Sequence, residues 1–121
     1  MKDNNIILQK SKLFALQIIK LYKNLCENKK EFILSKQILR SGTSIGANVA
    51  ESINAQSPAD FISKLSIALK EANETEFWLK SLYQGGLIDE KGFQSMFDDN
   101  EEIIKILVKS IKTVKRNNHE E

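Results

Sequence analysis

Proline occurs once and glycine five times in this chain of 121 residues, so little in it interrupts a helix. An all-β architecture, which needs turn residues at short regular spacing, is set aside on that ground. Cysteine occurs once, at Cys26, so no disulfide can form within the chain and nothing calls for an oxidising compartment. No apolar run exceeds four residues, against the roughly 20 that a membrane-spanning helix requires. The opening MKDNNIILQKSK carries an acid and two asparagines before its short apolar run, which does not resemble a signal peptide. Together these absences predict a cytoplasmic protein. Histidine also occurs once, at His119, too few for a di-iron bundle and, two residues from the C-terminus where chains fray, poorly placed for a catalytic triad.

What remains is material for helices. Hydrophobic residues make up 41% and charged residues 28%, the balance of an ordinary soluble protein, and the length argues for one domain spanning 1–121. Apolar residues recur at helical spacing in four segments. Phe14, Ile18, Leu21 and Leu25 mark the first, and Leu34, Ile38, Gly42, Ile45, Val49 and Ile53 the second. Ser57, Pro58 and Asp60 then supply a capping arrangement for a third, striped by Phe61, Leu65, Ala68, Ala72, Thr75, Leu79 and Leu82. After the glycines of QGG, Asp89 opens a fourth, with Phe93, Phe97, Asn100, Ile104, Leu107, Ile111 and Val114 on one face. The spacing predicts helices near 8–27, 32–55, 58–84 and 89–116, with 117–121 as a frayed tail. Short connections force successive helices to run antiparallel. The expected fold is all-α, an antiparallel up-down-up-down four-helix bundle.

Residues 42–46 read GTSIG, which matches the G-x-S-x-G elbow that presents a nucleophilic serine in hydrolases. The elbow needs a buried strand before Ser44, and Lys36, Gln37 and Arg40 interrupt any such strand. A second reading explains more. Gly42, Gly46 and Ala50 recur every four residues and would line one face of a helix, where small residues let a neighbouring backbone come close. Each mid-helix glycine costs about 1 kcal/mol relative to alanine, so a pair of them calls for a packing reason. Neither this segment nor the carboxylates Glu71, Glu74 and Glu76 form a chemistry-capable constellation with the rest of the chain. No catalytic residue, metal or cofactor is expected.

Two polar patterns remain. Gln37, Arg40, Ser44, Asn48 and Glu51 form a second stripe along the second helix. Counting outward from a turn centred near Gln56, Arg40 comes level with Glu71 and Glu74. The expected feature is an interhelical polar network of Arg40, Ser44, Asn48, Glu51, Glu71 and Glu74, with Arg40 buried. The second pattern is charge. The net charge is only +2, but residues 1–30 hold seven lysines against Asp3 and Glu27, and the last helix carries its own basic run. Lys10, Lys12, Lys20 and Lys23 with Lys105, Lys109, Lys112, Lys115 and Arg116 are the candidate nucleic-acid contacts, expected to merge where the first and last helices adjoin.

The stretches LSKQILRSGTSIGANVAES at 34–52 and DFISKLSIALKEANETEFWLKSL at 60–82 carry a resemblance. With the aliphatic first helix they cover most of the chain. They are similar to the small bacterial four helix bundle protein family, also named for proteins encoded in intervening sequences of large-subunit ribosomal RNA genes. Relatives of that family include the accessory protein of diversity-generating retroelements, a pentameric bundle thought to bind nucleic acid and a reverse transcriptase. The resemblance implies a four-helix bundle that assembles as a ring-shaped homopentamer, with no catalytic residue carried over. Two functions follow as expectations. One is a non-enzymatic oligomeric scaffold binding RNA or DNA through backbone contacts. The other is an adaptor or assembly module that binds protein alone.

Overall fold

The computed structural model describes residues 2–120 in backbone and 6–118 in side chain. Four helices account for it: α1 (Lys2–Asn28), α2 (Leu34–Ile53), α3 (Pro58–Gln84) and α4 (Glu90–Glu120). No strand occurs among the described residues, and none of their helices is long and apolar enough to cross a membrane. The third helix has the bounds read from its cap and its glycines. α2 is two residues shorter at each end than the expected 32–55, and α4 continues past Arg116 to Glu120. Residues 117–120 contain neither glycine nor proline to stop it.

Side-chain contacts give the directions. Gly42 faces Ile18 and Gly46 faces Ser11, so α2 ascends as α1 descends. Thr75 bonds Ser41 across α2 and α3, Asn100 reaches Ala72 across α3 and α4, and Lys10 pairs with Glu102 across α1 and α4. The result is an antiparallel up-down-up-down bundle in which α1–α2, α2–α3, α3–α4 and α4–α1 are the neighbouring pairs. Its core takes Ile7, Phe14, Ile18 and Leu25 from α1, and Ile38, Ile45 and Val49 from α2. α3 adds Leu65, Ala68, Ala72, Leu79 and Leu82, and α4 adds Ile103, Leu107 and Ile111. Each large aliphatic or aromatic side chain buried this way stabilises the fold by about 1.5–3 kcal/mol. On α4 the buried position is Ile103, while Ile104, expected on the stripe, is only half-buried.

The connections are set by local chemistry. Ser57 caps α3, its Oγ accepting from the Asp60 N–H at 3.1 Å, while Asp60 accepts in return from Gln56 N–H at 3.2 Å. Gly86, at φ 78°, closes the other end of α3, with Gly86 N–H bonding Tyr83 O and Leu87 N–H bonding Leu82 O. That paired closure needs a residue in the left-handed region, which glycine enters without steric cost. At the α1–α2 turn Lys30 takes the left-handed conformation at φ 54°. The next residue does the capping. The Glu31 carboxylate accepts from Leu34 N–H at 3.0 Å, Ser35 N–H at 2.8 Å and Ile33 N–H at 3.2 Å. Three otherwise unpaired donors at the start of α2 are thereby satisfied.

Gly42 and Gly46 face α1, and the reason differs between them. A Cβ on Gly42 would lie 2.7–2.9 Å from three carbons of Ile18, a side chain with no exposed surface and no room to retreat. A Cβ on Gly46 would lie 3.4 Å from the backbone oxygen of Ser11, at the limit of ordinary contact. Ala50, the third member of the expected packing set, is exposed. Four residues turn a helix by about 400°, so each step drifts about 40° and Ala50 stands about 80° from Gly42. Val49 occupies the contact instead.

Gly42→Ala should destabilise the protein by about 1–3 kcal/mol through overpacking, despite the better helix propensity of alanine. Gly46→Leu should do the same, whereas Gly46→Ala should lie close to neutral. Denaturant melts of the three variants check the order, and an unchanged Gly42→Ala midpoint would show that α1 and α2 are not pressed together. Glu31 makes a second expectation. Burial alone would raise its pKa, but the backbone bonds from Leu34, Ser35 and Ile33 outweigh it and hold the carboxyl below its ordinary value near 4.5. The unfolded chain therefore protonates first, and the cap's stabilisation is complete above that value and lost as pH falls through the folded-state pKa. Glu31→Gln should flatten the fall in melting temperature on acidification below about pH 5.

Candidate functional site

The α2–α3 seam carries the expected ion pairs but not the expected burial. Arg40 Nη1 donates to Glu71 Oε2 at 2.8 Å, and Nη2 donates to Glu74 Oε2. The Arg40 side chain is nevertheless 50% exposed, against 12% for Glu71 and 33% for Glu74. Arg40 sits about 160° round the helix from Gly42, so its guanidinium reaches Glu71 and Glu74 over the rim of the bundle and not through its centre. Ser44 and Asn48 do not cross to α3. Ser44 Oγ donates to Arg40 O at 2.6 Å and Asn48 Nδ2 to Ser44 O at 2.9 Å, both within α2. Short polar side chains on a helix often satisfy themselves on the preceding turn. Glu51 is exposed and makes no side-chain hydrogen bond among the described residues. The GTSIG segment is mid-helix, so Ser44 is on no strand-to-helix elbow.

Trp78 completes this seam in place of Ser44, Asn48 and Glu51. Its indole N–H donates to Glu74 Oε2 at 3.0 Å, and Phe77 meets it edge to face with centroids 5.0 Å apart. The Trp78 and Arg40 bonds hold the Glu74 carboxyl below its ordinary range, while bonds to Glu74 and Glu71 raise the Arg40 guanidinium. A carboxylate held ionised by two donors supports structure and is a weak proton acceptor. The spacing Glu74–Trp78, four residues along one helix, was the available signal for this contact. Beneath the rim, Thr75 and Ser41 bond at 2.9 Å with no exposure of either residue. On the other side of α3, the Glu76 carboxylate beside Glu101 raises the Glu101 carboxyl.

The second candidate lies on α4. Lys105, Lys109, Lys112 and Arg116 step by four, three and four, within about 40° of the outward direction. All four are exposed, and no acidic residue occurs between Glu102 and Glu120. With Ile104, Val108 and Thr113 they line one shallow surface, and Lys115 projects to its α3 side. Lys10, Lys12, Lys20 and Lys23 of α1 do not join it. Because α1 and α4 are antiparallel and Lys10 is level with Glu102, Lys20 and Lys23 lie beside the first turns of α4, at the opposite end of the bundle. Lys10 is bound to Glu102 at 2.9 Å, and Lys12 is exposed on α1, about 160° round it from the buried Phe14. Among the described residues the basic surface is therefore built by α4 alone.

The exposure of Arg40 sets the size of its contribution. Double-mutant cycles pairing Arg40→Met with Glu71→Gln and with Glu74→Gln should return coupling of about 0.2–1 kcal/mol each, as for rim pairs, and fall further in high salt. Coupling near 3 kcal/mol would show a desolvated pair.

A family model described as 23S rRNA-intervening sequence protein matches residues 3–109 and ends within α4, before Lys112, Lys115 and Arg116. Comparison with curated proteins returned no match. Among solved structures, the chain is similar to a protein of unknown function from the S23 ribosomal protein family of Bacteroides thetaiotaomicron. The two share 54% identity and a TM-score of 0.90, over 91% of this chain and 98% of that one. The four helices and the extent of these matches establish that the chain belongs to the 23S rRNA-intervening sequence protein family.

Proposed function

We propose that the protein is a non-enzymatic helical scaffold that self-associates and binds nucleic acid through the phosphate backbone. The observation that carries this reading is the basic ridge of α4, where Lys105, Lys109, Lys112 and Arg116 stand in one exposed line. Lysine and arginine so arranged neutralise phosphates and release counterions, which supplies affinity without reading sequence. Self-association is supported by apolar side chains left on the surface. Leu13 is 62% exposed, Leu16 56%, Phe77 60% and Ile33 75%. Contiguous apolar surface marks interfaces, and Leu13 and Leu16, three residues apart on one face of α1, are the adjoining pair among these four. Copies of the α4 ridge brought together would form a band longer than one chain can offer, and the ring-shaped homopentamer of related bundles is the arrangement adopted for this proposal.

Fluorescence anisotropy with a labelled 30-nucleotide DNA or RNA at roughly 50 mM salt should show micromolar binding that weakens steeply as salt rises. Light scattering of the same sample should report an oligomer. Absence of binding under these conditions would favour the adaptor that engages protein alone, and a monomer at micromolar concentration would remove the assembly.

A further inference from the structure

The shape around the α4 ridge selects among nucleic acids. This step rests on the reading above, that the ridge meets phosphates. The ridge stands on the outer face of a single helix. Lys105 to Arg116 spans about 16 Å of helix at 1.5 Å per residue, with Lys105 and Lys112 leaning to one side of the outward line and Lys109 to the other. The hollow along it is shallow and lined by α4 alone, so it has no second wall to enclose a single strand. No phenylalanine, tyrosine or tryptophan occurs in α4 after Phe97, so within the ridge the Arg116 guanidinium alone offers a planar group on which an unpaired base could stack.

The end of the ridge also projects. Asn100 bonds Ala72, so the first residue of α3, Pro58, comes level with about residue 114 of α4. Val114 indeed lines one hollow with Pro58 and Phe61. Beyond that level α4 continues to Glu120, about 9 Å past the turn that opens α3, with Lys115 and Arg116 both exposed. A helix with its side chains is about 10–12 Å across. The major groove of B-form DNA, about 12 Å wide and 8.5 Å deep, admits such a rod and flanks it with phosphates on both sides. The major groove of A-form RNA is too narrow and deep to do so.

We propose that the basic C-terminal half of α4 is a probe that seats in the major groove of duplex DNA, and that duplex DNA is the preferred partner of this ridge over RNA. Lys109 lies toward one wall of the groove and Lys105 and Lys112 toward the other, with Arg116 on the projecting end. The apolar Ile104 and Val108 cover the flank nearest α3.

The test compares four probes of one sequence and length in anisotropy titrations at matched salt: duplex DNA, duplex RNA, and single strands of each. Duplex DNA should bind at least tenfold more tightly than the other three. Replacing Lys109, Lys112 and Arg116 together by Gln should abolish that preference and reduce the salt slope on duplex DNA by about 2.7, as loss of three phosphate contacts requires. Replacing Lys29, Lys36 and Lys91, exposed lysines at the other end of the bundle, removes the same charge and should leave the preference intact. All six positions are exposed, so both variants should remain folded, which circular dichroism of each would check. Equal or tighter binding to RNA, or equal losses in both triple variants, would overturn the groove assignment while leaving nucleic-acid binding in place. Failure of every probe to bind would overturn the broader reading and this one with it.

Discussion

Where α1 crosses α2 at Gly42, the packed face of Ile18 fills the space that a β-carbon would need. Much of the bundle is arranged around that approach. It brings the Ser11 backbone to van der Waals distance from where a β-carbon on Gly46 would stand, and it sets the separation at which Phe14, Ile45 and Val49 fill the interior. Protein interiors tolerate neither overlap nor gaps, so one such contact constrains its neighbours. The second glycine is less demanding than the first, because its nearest neighbour is backbone at ordinary contact distance.

Polar groups divide by depth, and their roles divide with them. Arg40, Glu71, Glu74 and Trp78 make a rim lattice in contact with solvent, where water already screens the charges and the bonds hold side chains in place more than they hold the fold. Ser41 and Thr75 are fully enclosed, and so is Asn100, whose Nδ2 reaches Ala72 O at 2.9 Å while its Oδ1 has no partner. A buried amide left half-satisfied forgoes stability, typically by about 1–3 kcal/mol. What it adds is direction, since the donor must find a carbonyl on α3.

The sequence was informative about levels along the axis and much less so about angles around it. The turn at 54–57 fixes which residues of α2 and α3 come abreast, so Arg40 beside Glu71 and Glu74 could be read by counting. Whether Arg40 points inward depends on helical phase accumulated over many residues, and there the expectation of burial failed. The same drift carried Ala50 out of the contact that Gly42 and Gly46 make. Lys20 and Lys23 were assigned to the α4 surface because adjacent helices were treated as superimposable, although antiparallel ones place opposite ends together. The capping role of Glu31 was not legible, because it depends on Lys30 adopting a left-handed backbone that no local pattern announces.

The connectivity of the square has a kinetic consequence. Three of its four edges join helices linked by only four or five residues, 29–33, 54–57 and 85–89, so the chain closes those pairings at little entropic expense. The fourth, α1 against α4, brings together segments separated by the whole of α2 and α3. Chains dominated by such local pairings fold fast, on microsecond to millisecond scales. An order of assembly follows in which hairpins form first and α1 meets α4 last. The seam bridged by Lys10 and Glu102 is then the edge at which the folded bundle opens most readily.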